Sequence, residues 1–476
     1  MSTNVDAGHR RDVARIDTIS ELPMTAAPFG AAWLADPGVG VDLSAFGYVE
    51  EELWLTGVAG EWGYDDDFTP VVLQPVRYAT RALVRRPLDS ARFSGTVQLE
   101  PLHPDLDRAP TWQVANAWIM ARGHAWVGVT QSATVADDLA ARWPSRYGGL
   151  HISRPGLGYD ILGAVAVALK GGRLPIQDVR SVTMSGWSIT GSLCRVFVQE
   201  GFVTRHLDGG GISAVDAVLI GKSSGGLVGA GYPPLSRDAT ALPPDHPRRV
   251  VTGTVPTFEV LTESEAETHG PVLREDADRP DDRYRLVQIA ATTHRELRPA
   301  EVSPHEIQYA ASGGQLSDTR INEVASDARF GLFAGALLEH LDRWARSGAV
   351  PPRAPRFEYT PDSRLRRDPT GTVIGGIRPP WLAVPTSHYR PTSTPAPGAC
   401  LPLARFPGAG TPAHAASLIG HRVPFTADEL ATRYRNAAQY RALSAAHCDE
   451  LVDQGWLLRA DAESYLESLQ YPGDGE

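Results

Sequence analysis

Apolar and polar positions along this chain change rhythm several times. From about residue 45 to 100 the apolar residues gather in short β-prone runs. Tyr48 to Thr56 mixes acids with aromatics, Tyr78 to Val84 is compact, and Gly95 to Leu99 is β-branched. A strand-and-helix alternation follows: a helical run with Ala115 to Met120, the strand Ala125 to Val129, the helix Ile161 to Leu169 and the strand Val179 to Met184. Val255 to Leu261 and Tyr284 to Ile289 supply two more strands. Ser326 to Ala345 is amphipathic, with Phe330, Phe333, Leu337, Leu341 and Trp344 near helical spacing. This alternation predicts an α/β class protein with a mostly parallel central sheet covered on both faces.

Residues 348–425 break the rhythm. Pro351, Pro352, Pro355, Pro379, Pro380, Pro385, Pro391 and Pro395 disfavour regular helix there. Trp381, Tyr389 and Phe406 are apolar enough to bury, so the segment reads as an extended layer wrapped on the core, with a disordered linker as the competing reading. Helix returns over 426–470, where Thr426 and Glu429 form a capping box and Asp461 opens a second short helix. The implied organisation is a flexible stretch 1–20, a β-rich segment 21–92, a catalytic core 93–347, and a wrap with terminal helices over 348–476 packed on that core.

Composition narrows the functional classes. A chain of 476 residues with 42% hydrophobic and 21% charged content suits an ordinary globular protein. Its net charge of −11 and the lack of a dense Lys/Arg block argue against nucleic acid. Cys194, Cys400 and Cys448 are too dispersed for a disulfide framework or a metal cluster and read as reduced thiols. The N-terminal residues form no apolar leader, and no run approaches the roughly 18 apolar residues of a spanning helix. The expectation is a cytoplasmic protein with no membrane partner, its oligomeric state open. Asp65-Asp-Asp67 and Glu50-Glu-Glu52 read as solvated acidic runs, not a metal site.

One stretch carries chemistry. The strand Val179 to Met184 meets the turn Gly186-Trp187-Ser188 and then a helical run with Leu193, Val196 and Phe197. That is the layout of a nucleophile elbow, where a strained strand-to-helix turn exposes a serine hydroxyl. Gly186 meets the need for a small residue, Thr190 departs from the simplest G-x-S-x-G pattern, and Gly191 follows at once. The Ile189 N–H then offers itself to an oxyanion. Trp187 is a candidate pocket wall or a sheet contact. Gly156-Leu-Gly158 and Gly221-Lys-Ser223 lack the further glycines of dinucleotide and phosphate loops and read as turns.

An elbow serine needs a base and an orienting acid, in the chain order Ser, acid, His. Past the strand ending at Leu261 come Glu263 and Glu265; past the strand ending at Ile289 comes His294. His294 is the candidate base, Glu265 the preferred acid and Glu263 the alternative that would support the loop. A second oxyanion donor is expected near Leu102 and His103.

Gly186-Trp-Ser-Ile-Thr-Gly191, Glu263-Ser-Glu265 and Ile289-Ala-Ala-Thr-Thr-His294 together resemble the large single-chain α/β-hydrolase-domain family that includes cephalosporin acetylesterase. Gly47-Tyr-Val-Glu-Glu-Glu52, Tyr78 to Val84, Phe93-Ser-Gly-Thr-Val97, Trp344 with Pro351-Pro352, and Gly375-Gly-Ile-Arg378 are similar to that family's other blocks, over roughly residues 45–470. The resemblance implies an α/β-hydrolase fold and serine-esterase chemistry, with Ser188 and His294 as nucleophile and base. Glu265 stands where the pattern often has Asp, and Pro101-Leu102-His103 where it has Trp-Leu-Asn. The function expected is hydrolysis of a small-molecule carboxylic ester through an acyl-enzyme, without cofactor or metal. Acyl transfer or lyase chemistry on the same site, or a non-catalytic binding scaffold, are the alternatives.

Overall fold

The computed structural model describes residues 14–472 apart from 25–26, 33–39, 155, 224–234, 236–245, 267–272, 297–303, 317 and 401–410; Phe406 and most of the segment 1–20 lie outside the described residues. A ten-stranded sheet forms the centre, in the order β1-β2-β3-β5-β4-β6-β7-β8-β10-β9. Its strands are β1 Arg15–Leu22, β2 Tyr48–Tyr64, β3 Pro70–Pro87, β4 Thr96–Pro101, β5 Ala125–Val129, β6 Ser181–Trp187, β7 Ala217–Gly221, β8 Thr257–Thr262, β9 Ala277–Arg279 and β10 Asp282–Ile289. From β5 through β10 neighbours pair in parallel. β1, β2 and β3 extend one edge antiparallel, and β9 closes the other.

The parallel strands read as continuous apolar runs because both faces are covered. Helices Leu157–Lys170 and Ile189–Gln199 bury Leu162, Val165 and Phe197 on one face. Helices Pro110–Ala121, Gly331–Ser347 and Ala437–Asp453 bury Trp118, Leu337 and Leu451 on the other. The amphipathic helix starts at Gly331 rather than Ser326, because the residues before it pair with the later chain: Ser326 N–H donates to Gly420 O and Ala325 bridges to His421. Thr426 and Glu429 form the capping box, and Asp461 lies in helix Arg459–Glu467.

The acidic run of β2 corrects the sequence reading. Glu50 pairs with Arg85 at 2.7 Å and Glu51 with Arg86 at 2.8 Å; Glu52 is fully buried between Arg81, at 2.6 Å, and Arg146. Antiparallel pairing with the arginine-bearing β3 supplies a cation for each acid, so burial is met by charge and hydrogen bonds. Asp65, by contrast, is exposed and closes the β2–β3 turn, accepting from the N–H groups of Asp67 and Thr69.

Between 348 and 425 the described chain is largely unladdered and extended except for two short helices, Pro380–Ala383 and Pro412–Ser417, each opened by a proline in its first turn, where the missing N–H costs nothing. Phe357, Leu365, Val373, Ile377 and Trp381 are buried against the core. A two-stranded hairpin joins Ser387–Arg390 to His421–Pro424. Ile377 bridges in parallel to Ile289 at the end of β10, so this segment adds to the sheet where the next loop departs.

Candidate active site

The elbow is built from the end of β6 and the start of helix Ile189–Gln199. Ser188 sits between them at φ 60° and ψ −125°, a conformation that an L-residue holds only when its surroundings over-determine it. Several contacts do so. Ser188 N–H donates to Gly221 O at 2.9 Å. Trp187 N–H donates to Thr190 Oγ1 at 3.0 Å, and the same hydroxyl donates back to Trp187 O at 2.8 Å. Thr190 thus locks the turn from the position where the simplest motif has glycine. A Cβ on Gly186 would overlap Thr190 O, and one on Gly191 would overlap Gly221 O. At the elbow, Gly186 and Gly191 are therefore positions where backbone approaches backbone.

Ser188 Oγ lies 2.7 Å from His294 Nε2, and His294 Nδ1 lies 2.6 Å from Glu265 Oε1. Both partners come from loops at the carboxyl ends of β8 and β10, the end where β6 delivers the serine. Glu265 belongs to a one-turn helix, Glu263–Ala266, and its Oε2 accepts from Thr262 N–H at 3.1 Å and from the Thr262 hydroxyl. Burial opposes its charge, but the His294 ring, the hydrogen bonds and the Lys222 ammonium outweigh that and hold the carboxyl at about 2. Glu265 is therefore ionised, so Nδ1 carries the proton and Nε2 is left to accept from Ser188.

Glu263 serves the loop instead. It accepts from Ala291 N–H at 3.1 Å and pairs with Arg367. Lys222, inside the phosphate-loop look-alike, is buried, its ammonium donating to Thr293 O at 3.2 Å and His294 O at 3.3 Å. Its Nζ lies 4.1 Å from the centre of the Phe330 ring. Burial lowers its pKa, opposed by Glu296 and Glu265. Nothing in the sequence marks Lys222 as a tether for the histidine loop, since its partners are backbone carbonyls.

The oxyanion side departs from expectation. Ile189 is the first helical residue, so its N–H has no intrahelical partner. Leu102 N–H, however, donates to Val129 O at 2.9 Å, and His103 N–H to Arg108 O at 2.8 Å. Neither backbone group is available as the second donor. Pro104 disfavours helical geometry at His103, keeping it extended so that the pairing of β4 with β5 runs on past Pro101. The His103 ring is engaged as well: Nδ1 accepts from Asp105 N–H at 3.0 Å, which puts the ring proton on Nε2. Burial, reinforced by Arg108, His294 and Arg295 against Asp105, holds His103 at about 4 and hence neutral.

Trp187 is likewise not a pocket wall. At 4% exposure it lies beneath the elbow, with Nε1–H donating to Thr111 Oγ1 at 3.0 Å and its ring edge-on to Phe330 at 5.0 Å. Cys194 is buried under the same turn, and burial pushes its thiol pKa up, away from nucleophile chemistry. Among the described residues no group of three His, Cys, Asp or Glu side chains could hold a metal ion, and no helix is long and apolar enough to cross a membrane.

Among solved structures, the chain is similar to a dienelactone hydrolase from Anabaena variabilis, at 14% identity over 49% of this chain and 90% of that one, with a TM-score of 0.27. It is also similar to a thermostable esterase from Pseudomonas putida, at 14% identity over 52% of this chain and 75% of that one, with a TM-score of 0.30. No curated protein matches it. The family model described as "Alpha/beta hydrolase domain" matches residues 17–467, a span that runs from β1 through the terminal helices and takes in the Ser188 elbow and both partner loops; the chain belongs to the alpha/beta hydrolase domain family.

Proposed function

We propose that this hydrolase-fold protein is a serine esterase that cleaves a small-molecule carboxylic ester through an acyl-enzyme on Ser188. The observation that supports this most directly is the unbroken hydrogen-bonded line Ser188–His294–Glu265, with the serine on a strained elbow. In the first half-reaction His294 Nε2 takes the Ser188 proton as Oγ attacks the ester carbonyl carbon. The Ile189 N–H stabilises the developing oxyanion, a contribution of roughly 3–4 kcal/mol for one well-aimed donor. The C–O bond to the alcohol then breaks, and His294 returns the proton to the leaving oxygen. Water enters, His294 deprotonates it, and attack on the acyl carbonyl releases the acid and frees Ser188. Ionised Glu265 holds the imidazole in the productive tautomer and stabilises the imidazolium in both halves. Each step uses only side chains, backbone N–H and water, so the reading requires no cofactor. Free thiols at Cys194, Cys400 and Cys448 suit a reducing compartment such as the cytoplasm.

The test is fluorophosphonate labelling of the protein beside its Ser188→Ala variant, read by mass spectrometry. A phosphonyl adduct on the Ser188 peptide, absent in the variant, together with release of acid from an aryl acetate, is expected. Folded protein that neither labels nor turns over any ester would overturn the reading.

A further inference from the structure

Beneath the elbow, three N–H groups converge on one carboxylate. Glu100, near the end of β4, is fully buried. Its Oε1 accepts from Thr111 N–H at 2.6 Å, and its Oε2 from Trp112 N–H at 3.1 Å and Trp126 Nε1–H at 2.8 Å. Thr111 and Trp112 lie in the first turn of helix Pro110–Ala121, and the residue before that helix, Ala109, has no side chain to cap it. Glu100 therefore supplies from another element the acceptor that a serine or aspartate at position 109 would give locally.

Thr111 carries this hold to the elbow. Its hydroxyl lies 3.0 Å from Ser185 Oγ and accepts from Trp187 Nε1–H at 3.0 Å. Trp187 directly precedes the nucleophile. A Cβ on Gly221 would overlap the Trp187 ring, so the indole lies against the residue whose carbonyl takes the Ser188 N–H. The line Glu100–Thr111–Trp187 thus ends where the strained backbone of Ser188 is held.

We propose that Glu100 is a positioning residue for Ser188, acting through the Thr111 hydroxyl on the Trp187 indole; this step rests on the serine chemistry proposed above. The hold needs the ionised carboxylate. Its donors are fixed by backbone and packing, and a protonated oxygen would accept less well while adding one more O–H to a crowd of donors. Burial pushes Glu100 up to about 7, against the Thr111, Trp126 and Trp112 donors. Around it, β3 brings Arg85, whose guanidinium lies over the Trp112 and Trp126 rings and attracts the charge. Helix Ile189–Gln199 brings Cys194, whose thiol burial keeps protonated, and helix Gly331–Ser347 brings Asp342, which accepts from Thr96 farther back along β4. β5, β6 and helix Pro110–Ala121 bring Trp126, Ser185 and Thr111, which stay neutral. As pH falls through about 7, the carboxylate is protonated and the support beneath Ser188 weakens.

The experiment follows the indole N–H signals of the full chain by NMR as pH is taken through 7, with Trp126→Phe and Trp187→Phe assigning two of the eleven tryptophans. The Trp126 and Trp187 signals are expected to move with one shared midpoint, and both should stop titrating in Glu100→Gln. Thr111→Val keeps the backbone donor to Glu100 but removes the hydroxyl, so Trp126 should still titrate while Trp187 no longer follows. Kinetics on an aryl acetate, normalised to the serine that a fluorophosphonate labels, should show kcat down about tenfold or more in both variants with KM within about twofold. Thr111→Ser should restore most of that loss. A Trp187 signal indifferent to the pH that moves Trp126 would overturn the proposal, as would a Thr111→Val protein with lowered Tm but unchanged kcat. Should Glu100→Gln fail to fold, Thr111→Val and the wild-type titration decide. Wild-type protein that neither labels nor turns over ester would sink the esterase reading, while the indole signals would still report whether Glu100 reaches the elbow.

Discussion

Glu265→Gln is the substitution whose outcome the geometry fixes most tightly. Both carboxylate oxygens act as acceptors, Oε1 for His294 Nδ1–H at 2.6 Å and Oε2 for Thr262 N–H at 3.1 Å. Glutamine keeps the shape but has only one oxygen. The Thr262 N–H is a backbone donor that cannot turn away, whereas the Thr262 hydroxyl can rotate to accept. The amide oxygen must therefore serve Thr262, and the amide NH2 must face Nδ1. Nδ1 then has to accept, which moves the ring proton to Nε2, the nitrogen 2.7 Å from Ser188 Oγ. A protonated Nε2 cannot take the serine proton, so the base is lost with no atom displaced. In a serine-protease triad the equivalent wrong tautomer costs about 10⁴-fold in kcat. A second route to the magnitude starts from electrostatics. Lowering the carboxyl from 4.5 to about 2 corresponds to about 3 kcal/mol net in favour of the charged form, after burial is set against the histidine and the other donors, or about 300-fold. The expected loss in kcat lies between about 10²- and 10⁴-fold, with KM within about twofold because no substrate contact changes. Initial rates on an activated aryl acetate measure it, with Glu263→Gln alongside. Glu263 touches Ala291 and Arg367 but not the imidazole, so its variant should lose less than about tenfold. A Glu265→Gln enzyme within about tenfold of wild type, or a Glu263→Gln enzyme more damaged than it, would refute the reasoning.

Four further outcomes follow from the same contacts. Gly186→Ala drives a methyl group into Thr190 O and to 2.9 Å from Cys194 Sγ, and backbone cannot yield as a side chain would; a loss of about 1–3 kcal/mol in urea unfolding is expected. Lys222→Met frees two carbonyls of the histidine loop, and steady-state kinetics should show kcat down about tenfold with KM little changed. Trp381→Ala removes a 4%-exposed indole that packs on Phe333 and Tyr465 and donates to Ala291 O at 3.1 Å, so Tm should fall by the equivalent of about 3–5 kcal/mol. Because Glu265 is depressed from 4.5 to about 2, its stabilisation is present above about pH 4.5 and is lost as pH falls through about 2. The unfolding free-energy gap between wild type and Glu265→Gln should accordingly shrink across that window, and a gap independent of pH would contradict the assignment of charge.

Legibility in the sequence tracks how local each determinant is. The elbow can be read because a strand, a small residue, a serine and a helix lie within about ten positions, and each demand is steric. His294 can be read because it directly follows an apolar strand. The acid resolves only to Glu263 or Glu265. Two positions apart on one helical turn, these side chains leave the axis about 200° apart, so one faces His294 and the other Arg367. Which is which depends on how the chain enters the turn, and no residue type encodes that. The backbone donors at Leu102 and His103 are misread for a related reason, because their occupancy depends on Val129 and on the turn to Arg108. Glu50 to Glu52 read as solvated because their arginines arrive from another strand, at Arg81, Arg85 and Arg86. β9, three residues long, carries too short a pattern to stand out at all.

The chain after His294 bears on the site through backbone more than through side-chain chemistry. Ile377 N–H donates to Gln288 O at 2.8 Å, and Ala290 N–H donates to Ile377 O at 3.0 Å, so the segment hydrogen-bonds β10 on both sides of the point where its loop leaves the sheet. Phe357 N–H donates to Gln288 Oε1 at 2.8 Å, and Leu418 O takes the N–H of Arg295. On the acid-bearing loop, Ser264 Oγ donates to Pro391 O at 3.2 Å, and Arg367 pairs with Glu263. One extended segment therefore ties down both loops that must meet at the imidazole. Catalytic groups need placement to about 0.5 Å, and a loop held only at its two ends does not supply that. The high proline density, which breaks the regular rhythm of the chain, suits such a strap. With restricted φ, the segment loses less entropy on being laid across the core; many of its N–H groups close turns within the segment, and those of Phe357 and Ile377 go to Gln288 on β10.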